Sequence, residues 1–449
     1  MHDFFSLLYP RATIGMRTSP DFKLRRGLWN SILMPKFMNE VSAPCVHKIV
    51  QDLIDLWKTK KSLAGNLPFH VGEDLRQMSV DAIWKILLNE ELGVLRCQIE
   101  HLKSKDRKIK RTDEHVSFST KFSPLFGAAL QTLLCGLDWV VQGVHRRAYK
   151  WVIERLPPFR RAQRLLQDYV SIAIETAIIR VQDDTVARSS GLDEVTSRII
   201  DKELPLTEDA ALWLRDEVLE LIVTGHETTA ATAGWALKYL SDNVETQIAL
   251  RQALRAALSH DLTRSALPIT AQILAADVPY LDAVIAETFR ISNTGPVSFR
   301  QTTQDTSILG CPVPAHTSII LITGGPSYNK LRPLLVDESS RSATSQQSRA
   351  HFPSWTIRND LSAFRPERWL TRNSNSQAIV FDPRAGPSLP FSAGPRGCFG
   401  KKIALMELRI LIVLLVLQFD FEKVEGKLAG YEARDELTRS SRKCYVKLA

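Results

Sequence analysis

Residues 391–400 read FSAGPRGCFG and directly precede a strongly apolar helical segment, Lys401–Leu417. The glycines on both sides of Cys398 let the backbone turn tightly and approach a flat ligand. Cys398 then stands at the start of a helix, where free amide groups and the positive end of the helix dipole favour a thiolate. Arg396 adds a fixed positive charge two residues away. This pattern predicts a cysteine that acts as a nucleophile or as a metal ligand.

The composition of the 449 residues is that of a globular protein, with 44% hydrophobic and 24% charged residues. Disordered, collagen-like and coiled-coil chains are thereby excluded. The 58 lysines and arginines outnumber the 49 acids, but they form no unbroken run of five or six, which argues against a nucleic-acid partner. The densest basic stretch, Lys103–Arg111, is predicted to be a solvated loop.

The six cysteines lie far apart, and no two have the CxxC spacing of a zinc site or a redox dithiol. We therefore expect reduced, mostly buried thiols at every position except Cys398. No stretch reaches the roughly 18 to 20 apolar residues of a membrane span. Leu125–Val144 is apolar, but it contains Gln131, Asp138 and Gln142. We interpret it as a buried or surface-resting helix, and we expect no integral membrane anchor.

Hydrophobic periodicity predicts a single domain over residues 1–449, mainly α with a minor β part. The longest helix is predicted from an N-cap at Thr207 to Ser241, about 33 residues or roughly 50 Å, so it should cross the molecule and be buried over much of its length. Short strands at Thr306–Leu309 and Ser318–Ile322 are predicted to pair as a hairpin. Residues 324–360 are rich in Ser, Pro, Arg and Gly and are predicted to form a surface loop.

The pattern F-x-x-G-x-R-x-C-x-G resembles the haem-binding signature of the cytochrome P450 superfamily, whose haem iron is held by a cysteine thiolate. The resemblance implies the fold of that family, with a long central helix over haem and small β-sheets. It implies haem b as the cofactor and Cys398 as the axial and metal ligand. Phe391 would pack over the sulfur side, Arg396 would pair with a haem propionate, and Gly400 would belong to the cofactor-binding loop.

Two further motifs resemble the structural network of the same family. Glu287 and Arg290 are three residues apart, so they share a helix face and can form an ion pair. By itself this spacing occurs by chance in most proteins. The segment Phe364–Trp369 resembles the stretch whose arginine completes a Glu–Arg–Arg network. Arg368 would be that third member, and the network would lock the loop that carries Cys398.

The segment Thr224–Thr229, in the middle of the long predicted helix, resembles the family's oxygen-binding segment. Thr228 would supply a hydroxyl and Glu227 a carboxylate for proton delivery, which makes them the predicted catalytic residues. His226 is predicted to point away from the iron, and Thr224 replaces a smaller residue and should narrow the pocket. The alternative is that an acid and two threonines only satisfy internal polar groups. Such residues are poor helix formers, so their clustering in a buried helix favours the functional interpretation.

Two more arginines resemble family residues that contact a haem propionate. Arg300, followed five residues later by Asp305, matches an arginine on a strand. Arg25 matches the arginine of an early helix, but Asp21 stands where the family has an aromatic residue or histidine. The sequence therefore departs from the family pattern beside Arg25.

The resemblance begins at about Thr18, and the family normally has a substantial stretch upstream. We therefore expect an N-terminally short chain, either a truncated product or an incomplete gene model. The residues Gly324–Ser327 and Phe364–Trp369 are most similar to filamentous-fungal members. The resemblance implies the cytosolic face of the endoplasmic reticulum, here with peripheral membrane contact.

The implied function is a monooxygenase that inserts one atom of O2 into a small apolar organic substrate, in fungal secondary metabolism. Electrons would come from NADPH through a flavoprotein reductase. The basic residues Lys401, Lys402, Lys23 and Arg26 are candidates for its docking surface. Two alternatives remain open: a haem-thiolate isomerase or dehydratase, and a non-catalytic, truncated relic.

Overall fold

The structure is a computed structural model that describes residues 9–120, 126–142, 145–183, 188–202, 204, 207–258, 267–308, 310–324, 337, 339, 341–351, 360–435 and 438–449. Helices dominate this part of the chain, which confirms the predicted mainly α class. The α-helices longer than one turn are α1 (Pro20–Leu28), α2 (Ala43–Ala64), α3 (Gly72–Leu88), α4 (Val94–Lys103), α5 (Phe126–Gln142), α6 (Arg146–Ile153), α7 (Pro157–Gln182), α8 (Gly191–Asp201), α9 (Glu208–Asp242), α10 (Val244–Leu258), α11 (Thr270–Ala275), α12 (Pro279–Ser292), α13 (Ala343–His351) and α14 (Lys401–Gln418).

The strands are short and form one larger sheet with several two-stranded ones. They are β1 (Phe69–His70), β2 (Ile109–Arg111), β3 (Val116–Phe118), β4 (Val297–Gln301), β5 (Thr306–Ile308), β6 (Cys311–Val313), β7 (Ser318–Ile322), β8 (Leu370–Arg372), β9 (Ile379–Phe381), β10 (Phe421–Glu422), β11 (Ala433–Asp435), β12 (Arg439–Ser441) and β13 (Tyr445–Leu448). The larger sheet has the order β10-β13-β1-β3-β2, and the pairs are β4–β7, β5–β6, β8–β9 and β11–β12.

Helix α9 organises the molecule because it runs unbroken for 35 residues. The side chain of Thr207 accepts a hydrogen bond from the amide of Ala210, and two acids in the first turn complement the helix dipole. The apolar side chains of Leu214, Val218 and Ile222 lie on one face of the helix and are buried. The helix packs along α3 and also contacts α7, α12 and α14, so its central turns lie inside the core.

The sheet pairing differs from the predicted hairpin. Strand β5 pairs with β6, and β7 pairs with β4, so the predicted pairing of residues 306–309 with 318–322 is wrong. The chain already reverses at Gly310, whose φ of +80° lies in the left-handed region that glycine adopts without strain. Leu309 lies outside the described residues. The basic stretch Lys103–Arg111 also differs from its prediction, because it ends in strand β2.

Most of the predicted surface loop 324–360 lies outside the described residues, and Ala343–His351 within it forms α13. The segment predicted as a buried or surface-resting helix contains α5, which spans Phe126–Gln142. Among the helices of the described residues, none is long and apolar enough to cross a membrane.

Candidate active site

A cavity of about 370 Å³ opens between the middle of α9 and the loop that precedes α14. Most of its wall is apolar, with side chains from α1, the helical turn after it, α3 and α9 that include Phe22, Trp29, Ile32, Ile83, Leu87 and Leu221. Cys398 lines the cavity from the side of the α14 loop. The volume and the apolar wall are those of a small-molecule or cofactor site.

The loop that carries Cys398 is closed by its own backbone. The amide of Cys398 donates to the carbonyl oxygen of Phe391 at 2.8 Å. A side chain at Gly397 would bring its Cβ to 3.2 Å from the carbonyl oxygen of Gly394 and would crowd this close turn. Helix α14 begins three residues after Cys398, and its N-terminal amides therefore lie close to the sulfur.

The pKa of the Cys398 thiol lies above its ordinary value because the surrounding protein removes solvation from the charged form. Hydrogen bonds from the amides of Gly400 and Lys401 and the charge of Arg26 oppose this shift. The thiol lines the cavity and is accessible from it. The sequence argument that the helix end favours a thiolate is correct in direction, but burial outweighs it. The thiol alone is therefore not an activated nucleophile.

Two arginines line the cavity near the cysteine. Arg396 donates to the carbonyl oxygen of Ile14 at 2.9 Å, and Arg26 donates to the carbonyl oxygen of Gly397 at 2.6 Å. The pKa of Arg396 is lowered, first by burial and then by the charges of Arg26 and Arg300. These arginines make one side of the cavity suitable for carboxylates. Arg26, which the sequence made a candidate for the reductase docking surface, is a half-buried residue of the cavity wall.

The other two predicted propionate contacts lie outside the cavity lining. Arg25 forms an exposed ion pair with Asp21 at 3.2 Å, and its neighbour Arg26 takes the cavity position. Arg300 donates to the side chain of Ser392 at 2.9 Å and to the carbonyl oxygen of Ala393 at 3.1 Å. Arg300 thus binds the loop that carries Cys398 through two hydrogen bonds and does not line the cavity.

The two predicted catalytic residues point to different environments. Thr228 lines the cavity, and its hydroxyl donates to the carbonyl oxygen of Thr224 at 3.0 Å. Glu227 is not part of the lining. Its two carboxylate oxygens accept from Nε of Arg76 at 3.1 and 3.3 Å. Arg76 also reaches Glu73 at 3.4 Å, and all three charged side chains of this network are partly exposed.

The histidine of the same motif faces away from the cavity, as its prediction stated. His226 is 2% exposed, and its Nδ1 lies 2.8 Å from the carbonyl oxygen of Ile222. Burial is the main cause that lowers its pKa. Gly225 does line the cavity, and a Cβ there would lie 3.1 Å from a side-chain atom of Ile83 on α3. The glycine therefore lets α3 and α9 approach closely.

Glu287 is the centre of a buried charged network. Arg290 binds both of its carboxylate oxygens at 2.7 and 2.8 Å, and Arg368 binds one of them at 2.8 Å. The indole of Trp369 donates to the other at 2.9 Å. The three residues predicted to form a network thus lie together, and they join α12 to the short helical turn Pro366–Trp369.

An aromatic contact joins this network to the cysteine loop. Phe289, between Glu287 and Arg290 on α12, meets Phe391 edge to face with ring centroids 4.9 Å apart. Phe391 also lines the cavity. The network and the loop that carries Cys398 are therefore parts of one packed unit.

Three acids at the cavity were not identified from the sequence. Glu407 on α14 accepts from the hydroxyl of Ser79 at 2.6 Å, and burial raises its pKa to about 7. Glu217 and Glu220 on α9 also line the cavity. The position of Glu407, an acid inside the apolar run of α14, is the signal in the sequence that could have identified it. Burial of Glu217 and Glu220 depends on distant segments and left no local signal.

Comparison with known proteins agrees with this site. The family model described as cytochrome P450 matches residues 14–330 and 360–447. A cytochrome P450 monooxygenase of Pestalotiopsis microspora, GME11363, is 30% identical over 99% of this chain and 79% of its own length. The cytochrome P450 monooxygenase TRI13 of Fusarium sporotrichioides is 27% identical over 96% of this chain and 78% of its own length.

Solved structures show the same fold. The crystal structure of the cytochrome P450 CYP102L1 matches with a TM-score of 0.69 at 16% identity, over all of this chain and 83% of the other. The haem domain of cytochrome P450DA matches with a TM-score of 0.68. The chain therefore belongs to the cytochrome P450 family, and haem is the cofactor of that family.

The residues around the cavity fit haem. A thiol, two arginines and an apolar wall meet the needs of a flat, metal-containing dianion. The indole N–H of Trp29 is buried at this wall and has no hydrogen-bond partner among the described residues, so it can serve a ligand. A Cβ added to Gly400 would meet nothing within 4 Å, which leaves open space beside Cys398.

Proposed function

We propose that this protein is a haem-thiolate monooxygenase with Cys398 as the axial ligand. The single observation that carries the proposal is that two distant parts of the chain line one largely apolar cavity. Thr228 belongs to α9, and Cys398 belongs to the loop before α14. Membership of the family and its named fungal monooxygenases support the same reaction class. When bound, haem supplies an iron centre that uses O2, two electrons and two protons to insert one oxygen atom into a substrate and release the other as water.

The residues of this chain would hold the cofactor in three ways. The sulfur of Cys398 would bind the metal as a thiolate, because a metal ion favours loss of the thiol proton that burial otherwise retains. The guanidinium groups of Arg396 and Arg26 would pair with the carboxylates of the cofactor. Phe391 would pack beside the sulfur. Arg25 and Arg300 do not line the cavity, so their predicted role as direct contacts is weaker than that of Arg26.

Thr228 and Glu227 would deliver protons to the cavity. Adjacent helix residues diverge by about 100°, so the hydroxyl of Thr228 faces the cavity while the carboxylate of Glu227 faces the partly exposed network with Arg76 and Glu73. Thr228 would leave the carbonyl oxygen of Thr224 and donate a hydrogen bond to a group in the cavity. The proton itself would come from solvent, through water beside the Glu227 carboxylate.

The apolar wall favours a small apolar organic substrate. The named relatives are fungal monooxygenases, and one from Dothistroma septosporum is named for the Hps1-dma1 cluster. We infer a role in fungal secondary metabolism from them. Electrons would come from NADPH through a flavoprotein reductase that docks near the N-terminus of α14. Lys401, Lys402 and Lys23 are exposed and available for its acidic surface.

The test is to load the full chain with haem, reduce it and record the spectrum with CO. A red-shifted band of thiolate-bound haem supports the proposal, and its absence supports the alternative of a non-catalytic relic. The isomerase or dehydratase alternative is separated by isotope labelling. A monooxygenase places one atom of ¹⁸O from labelled O2 in the product, whereas those enzymes place none.

A further inference from the structure

The carboxylate of Glu227 is held by an arginine that has a second acid within reach. Arg76 on α3 donates from Nε to both oxygens of Glu227, at 3.1 and 3.3 Å. Its Nη1 lies 3.4 Å from an oxygen of Glu73, one turn earlier on the same helix. One guanidinium group is therefore shared between an acid of α9 and an acid of α3.

Arg76 remains charged with either partner. Burial lowers its pKa, but the charges of Glu227 and Glu73 more than offset this effect, so the pKa lies above its ordinary value. The side chains of Glu227, Arg76 and Glu73 are 19%, 30% and 32% exposed. Ion pairs that solvent reaches are weak. Arg76 can therefore move from one acid to the other without breaking a strong pair and without losing its anionic partner.

The neighbouring histidine does not fix the direction of Glu227. Nδ1 of His226 lies 2.8 Å from the carbonyl oxygen of Ile222, so this nitrogen carries the ring proton. Burial lowers the pKa of His226, which favours the neutral ring. Nε2, 3.9 Å from the Glu227 carboxylate, is then an acceptor and does not attract it. Among the described residues, Arg76 is the group that holds Glu227 away from the cavity.

We propose that Arg76 and Glu73 are positioning residues that control when the carboxyl group of Glu227 reaches the cavity. Glu227 takes up a proton from solvent and loses its charge, so Arg76 then binds Glu73 alone. The neutral carboxyl group rotates toward Thr228, the next residue on α9, and gives its proton to a water molecule beside that hydroxyl. The carboxylate that is left binds Arg76 again, which restores the starting arrangement.

The inference rests on the proposed proton delivery by Glu227 and Thr228, and it adds the residues that regulate this delivery. Glu73→Gln removes the second acid, so Arg76 should stay on Glu227 and protons should arrive more slowly. Arg76→Gln removes the cation that holds Glu227, so protons should arrive more freely. Arg76→Lys keeps a cation at this position and should resemble the wild type.

The first measurement requires no turnover and uses the haem-loaded, reduced protein with CO bound. The ¹H–¹⁵N signal of the Arg76 Nε–H reports the hydrogen bond to Glu227, and its relaxation dispersion reports exchange between partners. The signal is assigned by its loss in Arg76→Lys. We expect exchange in the wild type and a severalfold smaller contribution in Glu73→Gln. The control is Asp435→Asn, which removes an ion pair with Arg439, also at 3.4 Å, outside the cavity lining.

The second measurement is NADPH oxidation at saturating reductase, without added organic substrate, in H2O and in D2O. We expect Glu73→Gln to slow it by about three- to tenfold, a part of the effect of losing a general acid, and to raise the solvent isotope effect. Arg76→Gln should speed it and lower the isotope effect. Arg76→Lys and Asp435→Asn should follow the wild type.

Unchanged exchange of the Arg76 signal in Glu73→Gln would overturn the inference. Equal NADPH oxidation in Glu73→Gln, Arg76→Gln and the wild type would overturn it as well. If Arg76→Gln does not load haem, the comparison of Glu73→Gln with Arg76→Lys decides, and equal rates in that pair would contradict the control by Glu73. Failure of the proposed function appears in the wild type, as absence of the thiolate CO band, whereas failure of this inference appears only between the wild type and these variants.

Discussion

At the scale of single residues, Cys398 combines features that the other described cysteines lack. It lines the cavity, lies next to the N-terminus of α14 and has the charge of Arg26 nearby. Cys444, by contrast, is buried in the core, and burial raises its pKa. Cys311 is exposed on β6, away from the cavity lining. Position, more than the thiol itself, makes Cys398 the candidate ligand.

We expect Cys398→Ser and Cys398→His to lose the red-shifted CO band of the haem-loaded, reduced protein, because that band requires a thiolate opposite CO. The measurement is the CO difference spectrum at equal haem content. Cys311→Ser is the matched control and should keep the band at the intensity of the wild type. Retention of the band in either Cys398 variant would remove this residue as the ligand.

Glu407 is a single buried acid whose titration should be visible in the stability of the protein. Burial raises its pKa from 4.5 to about 7. The folded protein therefore holds a proton that the unfolded chain releases, and stability contributed by this site is lost as the pH rises from about 4.5 to about 7. The loss is on the order of 3 kcal/mol.

Glu407→Gln removes this titration and keeps the oxygen that accepts from Ser79. We expect the variant to match the wild type near pH 5 and to have the higher unfolding midpoint near pH 8. Unfolding in urea over this pH range measures the difference. The exposed Glu425→Gln serves as control and should follow the wild type. A parallel pH dependence in Glu407→Gln and the wild type would contradict the assignment.

At the scale of elements, α9 presents Thr228 to the cavity on one side and Glu227 to an ion-pair network on another. Thr228 belongs to the cavity side, and Glu227 belongs to the network with Arg76 on α3. The helix remains continuous through this motif, since the hydroxyl of Thr228 adds a hydrogen bond to the carbonyl oxygen of Thr224. Both side chains can therefore change partner while the backbone stays in place.

We expect Thr228→Ala to leave the CO spectrum intact and to lower product formation per NADPH by about tenfold to a thousandfold, the range for general-acid groups. The lost electrons should appear as hydrogen peroxide, which is measured beside NADPH consumption in the presence of reductase. The control is Thr176→Ala on α7. It removes a similar hydrogen bond, from the Thr176 hydroxyl to the carbonyl oxygen of Ile172 at 2.8 Å, at a position outside the cavity lining. Glu227→Gln should slow turnover with less peroxide. Equal yields in the wild type and Thr228→Ala would contradict the proposed proton delivery.

The contact between α12 and the turn Pro366–Trp369 depends on the buried charged network around Glu287. Removing Arg368 would leave the buried carboxylate with one ion-pair partner fewer, so Arg368→Ala should lower the free energy of unfolding by about 2 to 4 kcal/mol. The urea midpoint measures this loss. Arg372→Ala, on the exposed side of β8, should change it by less than about 0.5 kcal/mol. Equal urea midpoints for both variants would show that packing, and not the ion pair with Arg368, holds α12 against this turn.

At the scale of the whole molecule, the net charge of +9 bears on the proposed docking of a reductase. Lys402, exposed at the start of α14, stands four residues after Cys398. We expect Lys402→Glu to raise the KM for reductase several-fold, with an effect that shrinks at high salt, because exposed charges are screened. Steady-state reduction rates measure it. Lys423→Glu is the control, and an unchanged KM for Lys402→Glu would place docking elsewhere.

Local patterns in the sequence predicted the features that depend on neighbouring residues. The spacing around Cys398, the N-cap at Thr207 and the length of α9 follow from backbone freedom, capping and hydrophobic periodicity, all of which act over a few residues. Glu287 and Arg290 share a helix face for the same reason. The family resemblance supplied Arg368, which no local pattern could have joined to them.

Only the tertiary structure decided which of two adjacent arginines lines the cavity. Arg25 and Arg26 diverge by about 100° on α1, and packing of that helix against the cysteine loop turns Arg26 inward. The charge state of Glu220 was likewise decided by the tertiary structure. Its pKa rises because distant segments exclude water from the carboxyl group and so make its charged form costly. Sequence determined the elements and their chemistry, whereas burial, which sets charge state and orientation, required the packed molecule.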